Sequence, residues 1–252
     1  MKHDFIDKYS ILNSVLHRLD PRIKLLLSFL FLILISASQN IRLFYLYLGV
    51  VLILMVISKV PFHFYFKKLL MVTPLVLIFS IFIYLSYLIE HKINFEFDTI
   101  SRYYPVFDII ILLVLKIYLS VLVITLLVSC TRFNALLWGL RKYKLPVIVT
   151  TLSKLVYTYI FVFIDELHRI LRAYKSRAPE LQVPKARVYG NIAAGIFLRS
   201  LERSDLIYKA MISRGFTGNF PESNSHRLKF IDLLAALIFL TLVIATKLLW
   251  KI

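Results

Sequence analysis

The chain has 252 residues, 60% of them hydrophobic, and 31 Lys and Arg against 14 Asp and Glu give it a formal net charge of +17. Soluble domains are about half apolar, so this composition, with a mean hydropathy of +0.78, excludes a soluble globular class and specifies an integral membrane protein. The positive charge reads as a topology signal and as attraction to anionic lipid headgroups; the bilayer, and not nucleic acid, is the expected partner.

The polar leader holds Asp4, Asp7 and Asp20 and precedes apolar runs at 25–38, 43–57, 69–89 and 106–129, with a fifth at 231–249. A membrane span takes about 20 residues, range about 17 to 25. The first two runs are short and need their flanks. A Lys-bearing start, an apolar core and Ser36-Ala37-Ser38 give the first run a superficial signal-peptide plan. Its long acidic leader and the immediate second run fit a retained helical hairpin better.

Lys and Arg number 5 before the first run, then 1, 3, 2 and 17 in the intervals that follow, and 2 at the end of the chain. The alternation predicts a cytoplasmic N-terminus, a cytoplasmic loop at 58–68 and a cytoplasmic region at 130–229, with the C-terminus outside. Three parts follow: a four-span bundle at 1–129, an amphipathic cytoplasmic domain at 130–229 and a terminal span at 230–252. The segment 146–164 is apolar enough for a sixth crossing, but it carries Lys154 and runs into Asp165-Glu166. It reads as part of a long helix leaving the bilayer obliquely. Lys116 lies inside the fourth run, either as a buried polar contact to a membrane partner or as a snorkelling lysine. Asp108 and Asp232 stand at span ends, where a charge can reach water.

Within the cytoplasmic region one helix is predicted from Pro146 to about Arg177, because Pro is well placed at a helix start and Pro179 disfavours helix at Ala178. Asp165 and Glu166 stand four and three residues before Arg169, a spacing that supports ion pairs worth about 0.2–0.5 kcal/mol each. A second helix is predicted over 189–213, with Ala194, Phe197, Leu201, Tyr208 and Ile212 as its apolar stripe. Asp205 and Lys209 form an acid-first i, i+4 pair, and Gly215 suits a left-handed stop. Both helices end on arginine, in Ser176-Arg177-Ala178-Pro179 and Ser213-Arg214-Gly215. One account is that cations stabilise helix C-termini; the other is that a planar guanidinium suits gripping carboxylates across an interface.

Chemistry of its own is not expected. The six glycines never form a phosphate-cradling loop, and the six histidines are scattered singly without i, i+4 pairs or a neighbouring cysteine. Catalytic residues, metal ligands and cofactors are therefore predicted to be absent from this chain. The single cysteine, Cys130, excludes a disulfide framework.

Three stretches carry a family resemblance. Leu19-Asp20-Pro21-Arg22-Ile23-Lys24-Leu25 resembles the Asp-Pro-Arg-x-Lys opening of CbiQ/EcfT chains, the transmembrane (T) components of energy-coupling factor importers. The stretch from Leu140 to Pro146 resembles their entry to the coupling region, and Asp165, Glu166, Arg172 and Ala173 resemble positions that follow. The last third, with Glu202-Arg203-Ser204 and Met211-Ile212-Ser213-Arg214-Gly215-Phe216, is similar to the coupling segment and nearest to the cobalt-type CbiQ. Two departures stand out: Thr158 where many relatives carry Arg, and Ser-Arg-Ala at 176–178 in place of Ala-Arg-Gly.

The resemblance implies an all-α membrane protein with about five spans and cytoplasmic coupling helices, located in the cell membrane. Its implied partners are two ABC-type ATPase subunits, which hold the ATP and magnesium, and a CbiM-like substrate-capturing (S) membrane subunit. Cobalt or nickel is the implied cargo, with a vitamin or other micronutrient as the alternative. Arg177 and Arg214 carry the implied docking role, flanked by Ser176, Ser213 and Gly215 and supported by Asp165, Glu166, Arg172, Glu202 and Arg203. A self-sufficient secondary transporter would show internal repeats or interrupted spans, and a lipid-modifying enzyme a clustered acid, histidine or metal set. The sequence offers little of either.

Overall fold

The computed structural model describes residues 9, 10, 12, 14–90, 100–177, 186–218, 232 and 241, and among them the regular elements are helices: α1 (Val15–Arg18), α2 (Pro21–Ala37), α3 (Ile41–Ser58), α4 (Phe62–Glu90), α5 (Ile100–Cys130), α6 (Phe133–Lys142), α7 (Val147–Arg177) and α8 (Ala186–Ser213). The described residues divide into two compact units. One holds those up to Gly139 with Asp232 and Thr241; the other holds Leu140 to Gly218. The division thus falls after Gly139, inside α6, whereas the change in sequence character comes at 130.

In the first unit α5 packs against α2, α3 and α4. Phe31 and Ile35 of α2, Phe44, Tyr47 and Val51 of α3, and Leu119, Leu122 and Val123 of α5 fill one continuous core. Phe31 meets Tyr47 edge to face with ring centroids 5.5 Å apart, a geometry aromatic pairs favour. The outward faces are as apolar as the core: Met71 is 74% exposed and Phe82 70%. Such a surface suits a hydrocarbon solvent in which backbone groups are satisfied within helices.

Four helices among the described residues are long and apolar enough to cross a membrane: Ile41–Ser58, Phe62–Tyr87, Phe107–Cys130 and Val147–Arg177. The first three coincide with the runs at 43–57, 69–89 and 106–129. The run at 25–38 lies in α2, which is 17 residues long. The run at 231–249 falls outside the described residues except for Asp232 and Thr241. Length and composition thus leave α7 able to cross, although an oblique exit was expected. Its exposed Ile148, Leu152, Val156, Ile160 and Ile164 repeat every four residues and form a stripe along the helix.

Two single residues gain partners that the sequence did not show. Asp232 does not reach water: it is 2% exposed, and its Oδ1 accepts the Asp20 backbone N–H at 2.8 Å. Lys116 finds an acceptor within the chain, its Nζ donating to the Ser36 carbonyl at 2.8 Å. That carbonyl is one of the last four of α2, which have no intrahelical acceptor role left to play. Asp108 is exposed as expected.

The Asp20-Pro21-Arg22-x-Lys24 segment organises the end of this unit. Asp20 caps α2 by accepting the Arg22 N–H at 2.9 Å, with Pro21 at the first helical position. Lys24 is buried and donates to the carbonyls of His17, at 3.1 Å, and Cys130, at 3.0 Å. Nearby, His17 Nε2 donates to the Tyr9 carbonyl at 2.9 Å, so Nδ1, 2.7 Å from Ser14 Oγ, accepts the hydroxyl. Burial first, and the Lys24 charge after it, push the His17 imidazole below its ordinary pKa despite backbone hydrogen bonds that oppose the shift.

Candidate functional site

The second unit is built on a helical hairpin. Helix α7 starts where Pro146 places it, the Pro146 carbonyl accepting the Val149 N–H at 3.1 Å and the Thr150 N–H at 3.4 Å. It ends at Arg177, and its predicted course from Pro146 to Arg177 differs by one residue at the start. Helix α8 begins three residues before the predicted Tyr189 and ends, as predicted, at Ser213. Glu166 of α7 pairs with Arg199 of α8, while the Thr151 hydroxyl donates to the Gly218 carbonyl at 3.3 Å. Positions rising along α7 therefore meet positions falling along α8, so the helices run antiparallel.

Helix α8 closes with two nested hydrogen bonds. The Phe216 N–H donates to the Met211 carbonyl at 3.0 Å and the Gly215 N–H to the Ile212 carbonyl at 2.9 Å, with Gly215 at φ +75°. This is the Schellman arrangement, in which a residue without Cβ takes the left-handed position. Arg214 is the residue immediately before that turn. It is exposed, as are Arg177, Ser176 and Ser213. The two serine hydroxyls donate back to carbonyls of their own helices, Ser176 to Arg172 at 3.1 Å and Ser213 to Ala210 at 3.0 Å.

Because the hairpin is antiparallel and each arginine ends its own helix, Arg177 and Arg214 lie towards opposite ends. From the Glu166–Arg199 and Thr151–Gly218 register, their separation along the axis is about 35 Å at 1.5 Å rise per residue. The structure thus presents two separate cationic tips. Asp165, Glu166, Arg172, Glu202 and Arg203 sit between them.

Glu166 joins the two helices: one carboxylate oxygen accepts from Arg199 and the other lies 3.4 Å from Arg169. Beside it runs a groove of about 510 Å3, lined among others by Phe163, Ile196, Arg199, Glu202, Arg203 and Leu206. Glu202 and Arg203 are thereby brought alongside Glu166, while Arg172 is exposed on α7 and Asp165 is half-buried. Thr158, at the departure from the family pattern, bonds the Lys154 carbonyl of its own helix at 2.9 Å. Ala178 and Pro179 lie outside the described residues.

The apolar stripe of α8 lies on its exposed side. Phe197, Leu201, Tyr208 and Ile212 are 49–63% exposed, and Ala194 is exposed too. Ile192, Ile196, Ile207 and Met211 are half-buried instead. The half-buried face is the one that also carries Arg199, the partner of Glu166, with Ile196, Arg203 and Ile207 following at i±3, i±4 spacing. Arg199 was not among the residues singled out for the site. Its signal lay in a basic residue on the less continuous apolar face, opposite an acid on a neighbouring helix.

The model of the family described as CbiQ, cobalt transport protein, matches residues 12–227, which takes in helices α1 to α8 whole. The chain belongs to the CbiQ cobalt transport protein family. The energy-coupling factor transporter transmembrane protein EcfT of Staphylococcus aureus is 27% identical over 239 residues, covering 89% of this chain and 88% of its own. EcfT of Bacillus subtilis is 27% identical over 226 residues, 84% of each chain. An uncharacterised protein of Methanocaldococcus jannaschii is 24% identical over 247 residues, 96% of this chain and 84% of its own. This CbiQ-family chain is an all-α, multi-pass membrane protein of a transport family.

Proposed function

We propose that the chain is the T component of an energy-coupling factor importer, converting closure of two cytoplasmic ATPases into movement of a small substrate-capturing membrane subunit. The observation that carries the reading is the pair of exposed arginines, Arg177 and Arg214, each closing one helix of an antiparallel hairpin. Two tips about 35 Å apart suit two partner subunits better than one pocket does, counting 1.5 Å per residue. A guanidinium offers each partner carboxylate a bidentate, permanently charged contact. ATP and magnesium belong to the ATPases in this scheme, and the captured solute to the small subunit.

Cobalt or nickel is the solute class we favour, on the description of the matching family. A T component for a vitamin or other micronutrient is the second reading, supported by EcfT relatives named for energy coupling and for no solute. The test is purification of the tagged chain from its native membrane in mild detergent. One or two ABC-type ATPases and a small hydrophobic protein are expected to stay bound, and Arg214→Ala should keep membrane insertion while abolishing ATP-driven uptake. A chain recovered alone, or wild-type uptake by Arg214→Ala, overturns the docking role.

A further inference from the structure

Every polar residue of the Asp20–Lys24 segment is committed to a different neighbour. The Asp20 N–H meets the Asp232 carboxylate, and the Lys24 ammonium holds the carbonyls that end α1 and α5. Arg22 lies over the Trp138 ring of α6, 4.2 Å from its centroid. The neighbouring Gly139 is buried against the same segment: a Cβ there would come within 2.9 Å of Leu25 Cδ1 and 3.5 Å of the Pro21 backbone. The Pro21 contacts are ordinary van der Waals distances, so α6 packs closely on the start of α2, with the Leu25 side chain filling the space beside Gly139. Five separate parts of the membrane unit, α1, α2, α5, α6 and the segment bearing Asp232, are therefore tied at one buried hub.

Helix α6 is the element that continues from this unit into the next, since the division falls between Gly139 and Leu140. Its contacts with the hub, Trp138 and Gly139, are the last two residues before that division. A hydrophobic patch would fix α6 only loosely, because apolar surfaces slide. A cation over an aromatic face has a preferred placement on the ring, which favours one rotation of α6. The Asp20 cap on the Arg22 backbone N–H fixes the point from which the guanidinium reaches Trp138.

We propose that Arg22 and Trp138 are positioning residues for energy coupling: together they clamp α6 to the membrane unit, so that displacement of the coupling helices reaches the membrane helices instead of being lost in rotation of α6. The inference rests on the T-component reading above and deepens it. Neither residue touches nucleotide or solute. Both act through α6.

The test uses the full complex reconstituted in vesicles, with uptake and ATP hydrolysis measured on the same preparation. The wild type comes first: a complex that hydrolyses ATP without driving uptake sinks the T-component reading and this inference with it. In a coupled wild-type complex, Trp138→Ala and Arg22→Ala are expected to leave subunit recovery and ATP hydrolysis within twofold while lowering solute taken up per ATP by at least tenfold. Trp138→Phe, which keeps a ring face under the guanidinium, is expected to restore the ratio to within about threefold of wild type. Uptake and hydrolysis falling in parallel, with the ratio unchanged, would show a merely structural role and overturn the clamp while leaving the T-component reading standing. An unchanged ratio at full uptake in Trp138→Ala would overturn it equally. If Trp138→Ala fails to accumulate in the membrane, Trp138→Leu, which retains apolar volume without a ring, decides the same question by the same ratio.

Discussion

Replacing Gly215 by alanine isolates the conformational contribution of the α8 cap. The residue sits at φ +75° and a Cβ there would meet nothing within 4 Å, so no clash contributes and the cost is that of holding an L-residue left-handed, about 1–2 kcal/mol. That amounts to a rise of roughly 5- to 30-fold in the fraction of time the cap is open. The amides that report it are those of Gly215 and Phe216, bonded to Ile212 and Met211. Hydrogen exchange of a peptide covering 211–218 should accelerate by that factor in Gly215→Ala, more in Gly215→Val and less in Gly215→Asn, because asparagine tolerates the left-handed region. If Arg214 works from a fixed position, uptake should fall in the same order, although the arginine itself is untouched. Exchange at the wild-type rate in Gly215→Ala, or an asparagine variant as open as the valine one, would refute the claim that glycine is there for its backbone.

Glu166→Gln and Arg199→Ala should each cost only roughly 0.2–1 kcal/mol in thermal unfolding, since Arg199 is 62% exposed and solvent screens the pair. The charge reversal Glu166→Arg with Arg199→Glu should recover part of any uptake that Glu166→Arg alone loses; no recovery would mean the pair does not set the register of α8. Lys24→Met should destabilise the detergent-solubilised protein by about 2–4 kcal/mol, because two buried carbonyls lose their donor, and a loss below about 0.5 kcal/mol would contradict the hub. His17, held neutral by burial, makes the unfolded chain the better proton acceptor. Stability should therefore be full above the unfolded pKa of about 6.5 and decline as pH falls below it. His17→Gln should flatten that slope in melting curves taken between pH 5 and 8, and an unaltered slope would assign it to other groups.

Much of this was legible in the sequence because it rests on local rules. Pro146 and Gly215 bracket the two-helix unit whatever surrounds them, with α7 ending at Arg177 and α8 one residue before Arg214. Three of the apolar runs are helices long enough to cross a membrane for the same reason, that length and hydropathy are properties of a segment alone. What the sequence did not disclose depends on distant pairs. Asp232 reads as an exposed span end until Asp20, more than two hundred residues away, is seen donating to it. Lys116 reads as a stranded cation until the end of α2 supplies its acceptor. The sequence left open which apolar face of α8 packs, since both carry apolar residues at helical spacing; the structure breaks the tie in favour of the face bearing Arg199.

That tie-break bears on how the hairpin could carry load. Two tips about 35 Å apart at 1.5 Å per residue form a lever only if the helices between them cannot slide. An exposed ion pair is too weak to prevent sliding by its energy alone. Sliding α8 by one turn, however, would separate Glu166 from Arg199 and Thr151 from Gly218 at the same time, and would withdraw Ile196 and Ile207 from α7. These contacts sit in the middle and at one end of the hairpin, so their losses coincide instead of adding gradually. Resistance to a shift therefore comes from agreement among small terms in one register. The outer stripe of Phe197, Leu201, Tyr208 and Ile212 is exposed and contributes nothing to it.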